Sequence, residues 1–480
     1  MEDFIFIDGA EERLTKISME PLLIQEAISL ETLPSPSTDL RSLPAKGQTS
    51  KGEIRTSLRA ATADGVFATL FANITGGVLL TNFLLELGAS PTEIGFLASI
   101  PLWAGLMQPL GAYFSEQLSS RRDYGFWVYS LARSLWITLA IAIFLFDQHY
   151  GSPESLIATA LAVNAGCYCL GALGSASWMS WMAVIVPSPL RGRYFSVRNS
   201  IIHLTNLISI PLIGLGIVRW QGGPIQGYGV MLIGAVLLGL ISLGFQQFMV
   251  DVNPQIAQPL PKATIKQDPP LTQSTRSLLL QPIPFVDFWQ NSNFLKFLIY
   301  VNLWAFSVNL SGPFFSVYLL NDLHLNISQV TLYNSFFAIA NLLLLMVWGK
   351  LADRVGNRPI LLGVGIGCAI FPSFWLLLDA NPLSLWLLLP LLHLFGGGTA
   401  SAIDLCSHNL QLAIVPTRNQ SMYFAILGAF VGISGALGTI LGGFVAQFCD
   451  GGLGALFILS SVLRLIALFP LIFVTEKVDQ

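Results

Sequence analysis

The sequence predicts an all-α integral membrane protein with twelve transmembrane helices in two pseudo-symmetric six-helix bundles. Only 11% of its 480 residues are charged, against about a quarter in ordinary soluble domains. Hydrophobic residues make up 53% of the chain, and the mean hydropathy is +0.66. This much apolar surface needs lipid as its solvent, and it is grouped into stretches long enough to cross a bilayer.

Twelve apolar stretches follow one another, each close to the roughly 20 helical residues that cross a hydrocarbon core. Within that core the backbone must satisfy its hydrogen bonds inside one segment, so helices are expected. The approximate spans are 58–85, 91–116, 124–146, 154–186, 198–218, 227–250, 294–320, 328–351, 358–379, 383–414, 419–448 and 452–474.

The positive charges fix the expected topology. Of the 24 Lys and Arg residues, 21 lie in the two terminal tails, in the even-numbered connections, or at the span ends that adjoin them. Arg219 lies in an odd-numbered connection, and Arg133 and Arg464 lie inside spans. Because cytoplasmic loops retain Lys and Arg, we expect a plasma (inner) membrane protein with both termini in the cytoplasm. The net charge of −3 gives no indication of nucleic-acid binding.

Polar and proline-rich segments divide the chain. A disordered cytoplasmic N-terminal tail is expected at 1–56, and a short cytoplasmic C-terminal tail at 475–480. A proline-rich cytoplasmic linker at 251–293 separates a first bundle at 57–250 from a second at 294–474. Proline lacks a backbone N–H and fixes φ, so this linker cannot be helical throughout.

The two bundles carry the same signature after their fourth spans. Ile185-Val186-Pro187 is followed, seven residues after the proline, by Tyr194-Phe195. Ile414-Val415-Pro416 and Tyr423-Phe424 repeat this arrangement 229 residues later without a gap. The agreement in residue type and in position indicates an internal duplication, and parallel six-helix repeats are one known transporter architecture.

A motif follows span eight, with the sequence Gly349-Lys350-Leu351-Ala352-Asp353-Arg354-Val355-Gly356-Asn357-Arg358. It resembles the loop pattern G-x-L-a-D-r-x-G-r-[RK] of the major facilitator superfamily. The copy expected after span two is degenerate, because Gly111, Glu116 and Arg121-Arg122 remain at a longer spacing without the Asp. The segment Pro187–Phe195 also resembles a loop of that family. The resemblance implies the family's fold and secondary transport.

The resemblance further implies that this motif acts as a conformational latch, formed by Gly349, Asp353, Arg354 and Arg358. Glycine lets a helix end approach a neighbour closely. A carboxylate such as that of Asp353 can accept hydrogen bonds from the free N–H groups at the start of an adjacent helix. The alternative is that the loop only anchors the topology.

Three ionisable side chains inside spans are candidates for substrate binding or proton coupling, since a charge at mid-bilayer costs roughly 2.5–3.5 kcal/mol. Asp64 lies in span one and Asp404 in span ten. His408 follows Asp404 by four residues on the same helix face, which suits a proton relay. The alternatives are an interfacial acid at the start of a helix for Asp64 and a mutually satisfied pair for the other two.

Further polar and aromatic side chains are candidates for a cavity wall: Arg133, Trp178, Trp181, His203, Asn302 and Asn309. Arg133 and Arg464 can instead be structural, each neutralised by an acid. The asparagines can hydrogen-bond between helices, and the tryptophans can anchor the protein at the lipid interface. In span eleven, Gly428-x3-Gly432 and Gly438-x3-Gly442 favour a moving helix interface.

Together these features predict a secondary transporter that moves a small-molecule solute by alternating access, with protons as the coupling ion. Efflux of amphipathic compounds is an alternative, although Ile210 replaces the glycine of the Gly-Pro pair typical of drug–proton antiporters. A non-transporting membrane sensor is a second alternative. No enzyme, cofactor or metal site is expected, since the five Cys match no metal-site spacing. We expect a monomer in the lipid bilayer.

Overall fold

The structure, a computed structural model, describes residues 51–117, 120–186, 191–251, 291–415 and 420–476. All regular elements within these residues are helical. Most of the predicted N-terminal tail, nearly all of the predicted linker and the last four residues lie outside the described part. Residues 51–56, which were assigned to the tail, belong to the first helix.

In the described residues of the first half, short connections join helices that run back and forth. They are α1 (Lys51–Thr75), α2 (Gly77–Glu86), α3 (Pro91–Gly105), α4 (Gln108–Gln117), α5 (Arg121–Asp147), α6 (Pro153–Ile185), α7 (Arg191–Val218) and α8 (Gly223–Gln246).

The second half repeats this arrangement. Its helices are α9 (Ser292–Ser311), α10 (Phe314–Val317), α11 (Ile327–Val355), α12 (Asn357–Phe374), α13 (Leu389–Ile414), α14 (Gln420–Phe448) and α15 (Gly452–Leu468). Single π-helical turns extend α10 and precede α13, and single 3₁₀ turns follow α12 and α15.

Eleven helical segments within the described residues are long and apolar enough to cross a membrane. Predicted span two is formed by two shorter helices, α3 and α4, with a turn at 106–107 between them. In this turn the N–H groups of Leu106 and Met107 bond to carbonyls three residues earlier. Pro109 then lies in the first turn of α4, where its missing N–H costs nothing. With this broken helix included, the predicted twelve-span, all-α architecture is confirmed.

Capping residues explain where several helices begin. Ser90 and Glu93 form a capping box at α3, in which the Ser90 N–H donates to the Glu93 carboxylate at 2.7 Å. Asn326 and Gln329 form the same arrangement at α11. Each such cap satisfies N–H groups that lack helical partners and stabilises its helix by about 1 kcal/mol.

The repeated tyrosines occupy equivalent places in the two halves. The Tyr194 hydroxyl donates to the carbonyl of Leu58, near the start of α1, at 3.2 Å. Tyr423 packs edge-on against Phe294, near the start of α9, with ring centroids 4.8 Å apart. Each tyrosine therefore fixes the fifth span of its half against the first span of the same half.

The two halves meet closely at one end of the bundle. Because Gly95 of α3 has no side chain, its backbone lies close to the carbonyl oxygen of Thr439 in α14. The Thr92 N–H donates to the side chain of Gln447 of α14 at 3.3 Å. Gly214 of α7 similarly faces Thr331 of α11. All these positions lie toward the odd-numbered connections, so the halves are closed on that side.

Toward the even-numbered connections the same helices diverge. Among the described residues, a Cβ built on Gly428 of α14 meets no atom within 4 Å, and one built on Gly349 of α11 meets only Leu405 of its own half. Leu102, near the end of α3 and before the break that separates α3 from α4, is the last α3 residue that faces a glycine of α14. The described helices of the two halves therefore leave this second side open.

Candidate functional site

Asp64 is buried between α1 and α8, at 4% exposure. The Ser242 hydroxyl donates to its carboxylate at 2.5 Å, and the Gln246 amide donates at 3.1 Å. Because α1 begins at Lys51, Asp64 lies more than three turns inside the helix. Asp64 is therefore not an acid at the start of a helix. Asp64 is a hydrogen-bonded carboxylate in the interior of the first half.

Arg133 lies behind Asp64, in α5. Its guanidinium donates to the carbonyl of Gly239 in α8 and lies 5.5 Å from the centroid of the Phe71 ring. Its side chain is 7% exposed. The positive charges of Arg133 and Arg198 both act on Asp64 through space, although neither forms a direct ion pair with it. Arg133 thus belongs to the packed interior of the first half.

Arg198 is a residue that the sequence analysis did not single out. Arg198 is the first residue of predicted span five and was counted with the positive charges of the preceding connection, whereas α7 begins at Arg191. Its Nε donates to the carbonyl of Ala61 at 3.4 Å, and its guanidinium lies 4.9 Å from the Trp178 ring centroid. Arg198 therefore bridges α7, α1 and α6. Placing the helix start at Arg191 would have revealed it as an intramembrane charge.

The two tryptophans of α6 differ. Trp178 is half-buried beneath the Arg198 guanidinium. Trp181 is 1% exposed, and its indole N–H donates to the carbonyl of Val250 at 3.0 Å. Trp181 thus packs inside the first half, away from lipid and from any open wall, and only Trp178 can contribute an aromatic surface.

The remaining polar candidates of α7 and α9 divide into exposed and paired side chains. His203 of α7 is exposed. Asn302 accepts a hydrogen bond from Ser434 of α14 at 2.7 Å and donates to Leu298 in its own helix. Asn309 donates to the carbonyl of Ala305 at 2.8 Å. Asn302 therefore supports the packing of α9 on α14, as the interhelical alternative predicts.

A polar contact among three side chains joins α1 to α7. The Asn73 amide donates to the Asn206 side chain and to the Ser209 hydroxyl, both at 2.9 Å. It stabilises the contact of the first and fifth spans near the closed end.

Asp404 and His408 are both exposed, one turn apart on the same face of α13. No hydrogen bond or ion pair joins them in the described part of the chain. The alternative of a mutually satisfied pair is therefore wrong, and both side chains are available to a solute or a proton.

Arg464 of α15 is buried without an acid. It donates to the carbonyl of Cys368 at 3.0 Å and to the Ser311 hydroxyl at 2.9 Å. Among the described residues no carboxylate forms an ion pair with it. The expectation that an acid neutralises Arg464 is wrong, because carbonyl and hydroxyl oxygens of α12 and α9 take that place.

The motif after α11 is held by the C-terminal segment. The Glu476 carboxylate accepts hydrogen bonds from the backbone N–H groups of Asn357 and Arg358, at 3.2 and 3.0 Å, at the start of α12. The Arg358 guanidinium donates to the carbonyls of Leu471 and Ile472. Arg358 therefore pairs with the last turn of the second half, as expected for a cation at a helix C-terminus.

Asp353 and Arg354 of the motif are exposed. Asp353 accepts no hydrogen bond within the described residues, and Glu476 instead occupies the neighbouring helix start. Gly349 likewise has no close neighbour among the described residues of the first half. In this conformation the predicted latch is open.

Comparisons with known proteins found one matching family model, one relative in sequence and several similar solved structures. Residues 297–480 match the sequence model described as Major Facilitator Superfamily. The tetracycline resistance protein, class H, of Pasteurella multocida is 27% identical over 160 residues, which are 33% of this chain and 38% of that protein. The match thus spans less than half the length of that relative.

Solved structures share the fold over most of the chain. A D-xylose–proton symporter superposes with a TM-score of 0.63 at 18% identity, over 88% of this chain and 98% of the other. The inward-open xylose transporter XylE from E. coli gives 0.60 at 18% identity, over 89% and 98%. A mutant of the nucleoside transporter NupG gives 0.61 at 14% identity, over 87% and 100%.

Proposed function

We propose that this chain is a secondary active transporter of the major facilitator superfamily, and that it moves a small solute by alternating access. The observation that carries this proposal is the asymmetric contact between the halves. They close through α3–α14 and α7–α11 at one end, and the same helices diverge at the other. Alternating access consists of exchanging these two contacts.

The distribution of positive charge indicates which side of the membrane the open end faces. The open side carries the even-numbered connections, where Lys and Arg are concentrated. Since cytoplasmic loops retain positive charge, the open side faces the cytoplasm and the structure is inward-facing. The exposed Asp404 and His408 then contact cytoplasmic water, whereas Asp64 is enclosed.

Protons are the proposed coupling ion, with Asp64 and Asp404 as carriers and His408 as a relay. A carboxylate that gains and loses a proton changes the net charge of its bundle by one, which biases the equilibrium between the two conformations. Replacement of each Asp by Asn removes this charge change. We expect Asp64→Asn and Asp404→Asn to abolish proton-driven uptake in proteoliposomes while leaving counterflow exchange.

The control is Asp450→Asn, because Asp450 is exposed in the connection between α14 and α15. Normal flux is expected for this variant. Gradient-driven uptake at the wild-type rate in both Asp64→Asn and Asp404→Asn removes the coupling assignment.

The latch closes when the molecule turns outward. Gly214 of α7 faces Thr331 of α11, and the two helices run in opposite directions. Asp353 of α11 therefore lies at the level of the first turn of α7, which begins at Arg191. When the cytoplasmic side closes, the Asp353 carboxylate meets the free N–H groups of that turn, a contact that stabilises by about 0.3–1 kcal/mol.

Efflux of amphipathic compounds is the second candidate, and the match to a tetracycline resistance protein favours it. The two directions give opposite results in cells. An exporter lowers the intracellular concentration of a drug such as tetracycline when it is overexpressed. An importer leaves that concentration unchanged and raises uptake of its nutrient.

A further inference from the structure

We propose that Arg198, stacked on Trp178, binds a carboxylate or phosphate group of the transported solute, so that the substrate is an organic anion. That the bound anion is the transported solute rests on the proposed transport function, whereas the anion-binding site itself does not depend on it. Nothing in the family resemblance or in the comparisons assigns a role to Arg198.

Three helices hold the guanidinium in place. Its Nε donates to the carbonyl of Ala61 in α1, and one face covers Trp178 of α6. Gly65 makes room for it, because a Cβ there would lie 2.9 Å from Nη2. Stacking on an aromatic ring and the Nε hydrogen bond fix the plane of the group, which reduces the entropy lost on binding.

The binding edge of this guanidinium is unoccupied by protein groups. Within the described residues its Nη1 and Nη2 donate to no acceptor, and the side chain is half-buried. Such a fork presents parallel N–H groups that match the two oxygens of a carboxylate or phosphate. A neutral solute satisfies them less well, and a cation is repelled.

The charge balance of the first bundle favours an anion. Three charged side chains meet here, namely Asp64, Arg133 and Arg198, and their sum is positive. Ser242 and Gln246 already occupy the Asp64 carboxylate, and Arg133 bonds to a carbonyl. The uncompensated positive charge is therefore presented where Arg198 is accessible, and an incoming anion compensates it.

Thermal unfolding of the purified full-length protein tests the site with benzoate and with inorganic phosphate. Benzamide is the neutral match for benzoate, and sodium chloride matches the ionic strength. We expect benzoate or phosphate to raise the unfolding temperature and benzamide to leave it unchanged. Arg198→Gln should weaken the apparent affinity at least about tenfold, since charged hydrogen bonds are lost.

Two further variants separate geometry from charge. Arg198→Lys keeps the charge and loses the fork, and Gly65→Ala displaces the guanidinium, so both should weaken anion binding. Arg219→Gln is the control, because Arg219 is exposed just beyond the other end of the same helix; it should bind as the wild type does. If Arg198→Gln does not fold, chemical modification of the wild-type protein takes the place of that variant. Benzoate or phosphate should then reduce the modification of Arg198 by phenylglyoxal, as measured by peptide mass spectrometry.

The proposal is overturned if neither anion stabilises the protein, if benzamide acts as benzoate does, or if Arg198→Gln binds normally. An anionic headgroup offers the same chemistry as a soluble anion. Nanodiscs with and without phosphatidylglycerol separate them, because competition by that lipid would assign the site to the membrane and overturn the substrate claim. Anion binding at Arg198 without any flux would contradict the transport function alone.

Discussion

Gly443 of α14 lies directly against the backbone of α3, so that a Cβ at this position would be 2.7 Å from the carbonyl oxygen of Pro91. A glycine is required here because the two helices touch backbone to backbone, as small residues permit in membrane proteins. This contact joins the two halves and closes the side of the odd-numbered connections.

Replacement of Gly443 should therefore open that side. In Gly443→Leu the new side chain would overlap the start of α3, and we expect the equilibrium to shift toward the outward-facing conformation. Leu102 faces Gly435 in the closed contact. In sealed cells, the cysteine of Leu102→Cys should react with a membrane-impermeant maleimide faster when Gly443→Leu is also present than when it is absent.

Gly428→Leu is the matched control in the same helix, since a Cβ built there meets nothing within 4 Å. It should leave the outer side closed. Equal labelling of Leu102→Cys in the two leucine variants would contradict the role of the Gly443 contact.

Cross-linking should distinguish the two conformations on α7 and α11. Gly214 faces Thr331 in the structure, so a Gly214→Cys, Thr331→Cys pair should form a disulfide in the inward-facing state. Ser196 precedes Gly214 in α7, and Gly349 follows Thr331 in α11, in each case by about 18 residues or five helical turns toward the cytoplasmic side. That second pair of cysteines should cross-link only when the cytoplasmic side closes.

Conditions that favour one disulfide should therefore disfavour the other, and mass spectrometry can quantify both. Introducing Gly443→Leu into each double-cysteine variant should decrease the 214–331 disulfide and increase the 196–349 disulfide. Parallel changes in the two yields would argue against exchange of the contacts.

The Glu476 contact should make stability depend on acid pH. Burial raises the pKa of Glu476, but the N–H groups of Arg358 and Asn357 outweigh this effect, and its pKa lies below the ordinary 4.5. A lowered pKa means that the stabilisation is complete above about pH 4.5 and is lost as the pH falls through the folded value. At pH 7, Glu476→Gln should lose about 1 kcal/mol, as for other helix-start contacts.

Once protonated, Glu476 resembles glutamine, so the difference in unfolding temperature between the wild type and Glu476→Gln should diminish as the pH falls below about 4.5 and through the folded pKa. Thermal unfolding in detergent from pH 7 down to the lowest pH at which the protein stays folded measures it. Glu86→Gln, at an exposed acid in α2, serves as the control and should show no such pH-dependent difference. A constant difference for Glu476→Gln at all pH values would exclude the ionised carboxylate as its cause.

Arg464 should stabilise the second half through its hydrogen bonds to the uncharged Cys368 carbonyl and Ser311 hydroxyl. Arg464→Ala leaves a cavity and deprives the Cys368 carbonyl and the Ser311 hydroxyl of a donor, so we expect a loss of about 2–4 kcal/mol. Arg464→Met retains most of the volume and should lose less. Thermal unfolding in detergent measures both, and an unchanged unfolding temperature in Arg464→Ala would exclude this role.

Local rules predicted the membrane architecture. Span length, capping residues such as Ser90 and the alternation of positive charge depend on nearby sequence alone, which is why most spans agree with the helices to within a few residues. The helices of spans one and five begin seven residues before their predicted starts. The bend in span two escaped prediction, because periodicity does not distinguish one long helix from α3 followed by α4.

The charged candidates were predicted with less success. The sequence identified Asp64 and Arg464 as buried charges, yet their partners, Ser242 and Cys368, lie 178 and 96 residues away along the chain. Arg198 was missed because it is the first residue of predicted span five and was counted with the loop, whereas the helix begins seven residues earlier, at Arg191.

By itself the sequence determined that this chain crosses the membrane in two related bundles, because hydropathy and charge act on each segment independently. Only the tertiary structure decided which side is closed, that Glu476 rather than Asp353 occupies a helix start, and that Arg198 lies on Trp178 with free donors. These relationships join residues from different helices, and their energies exist only once the helices are packed.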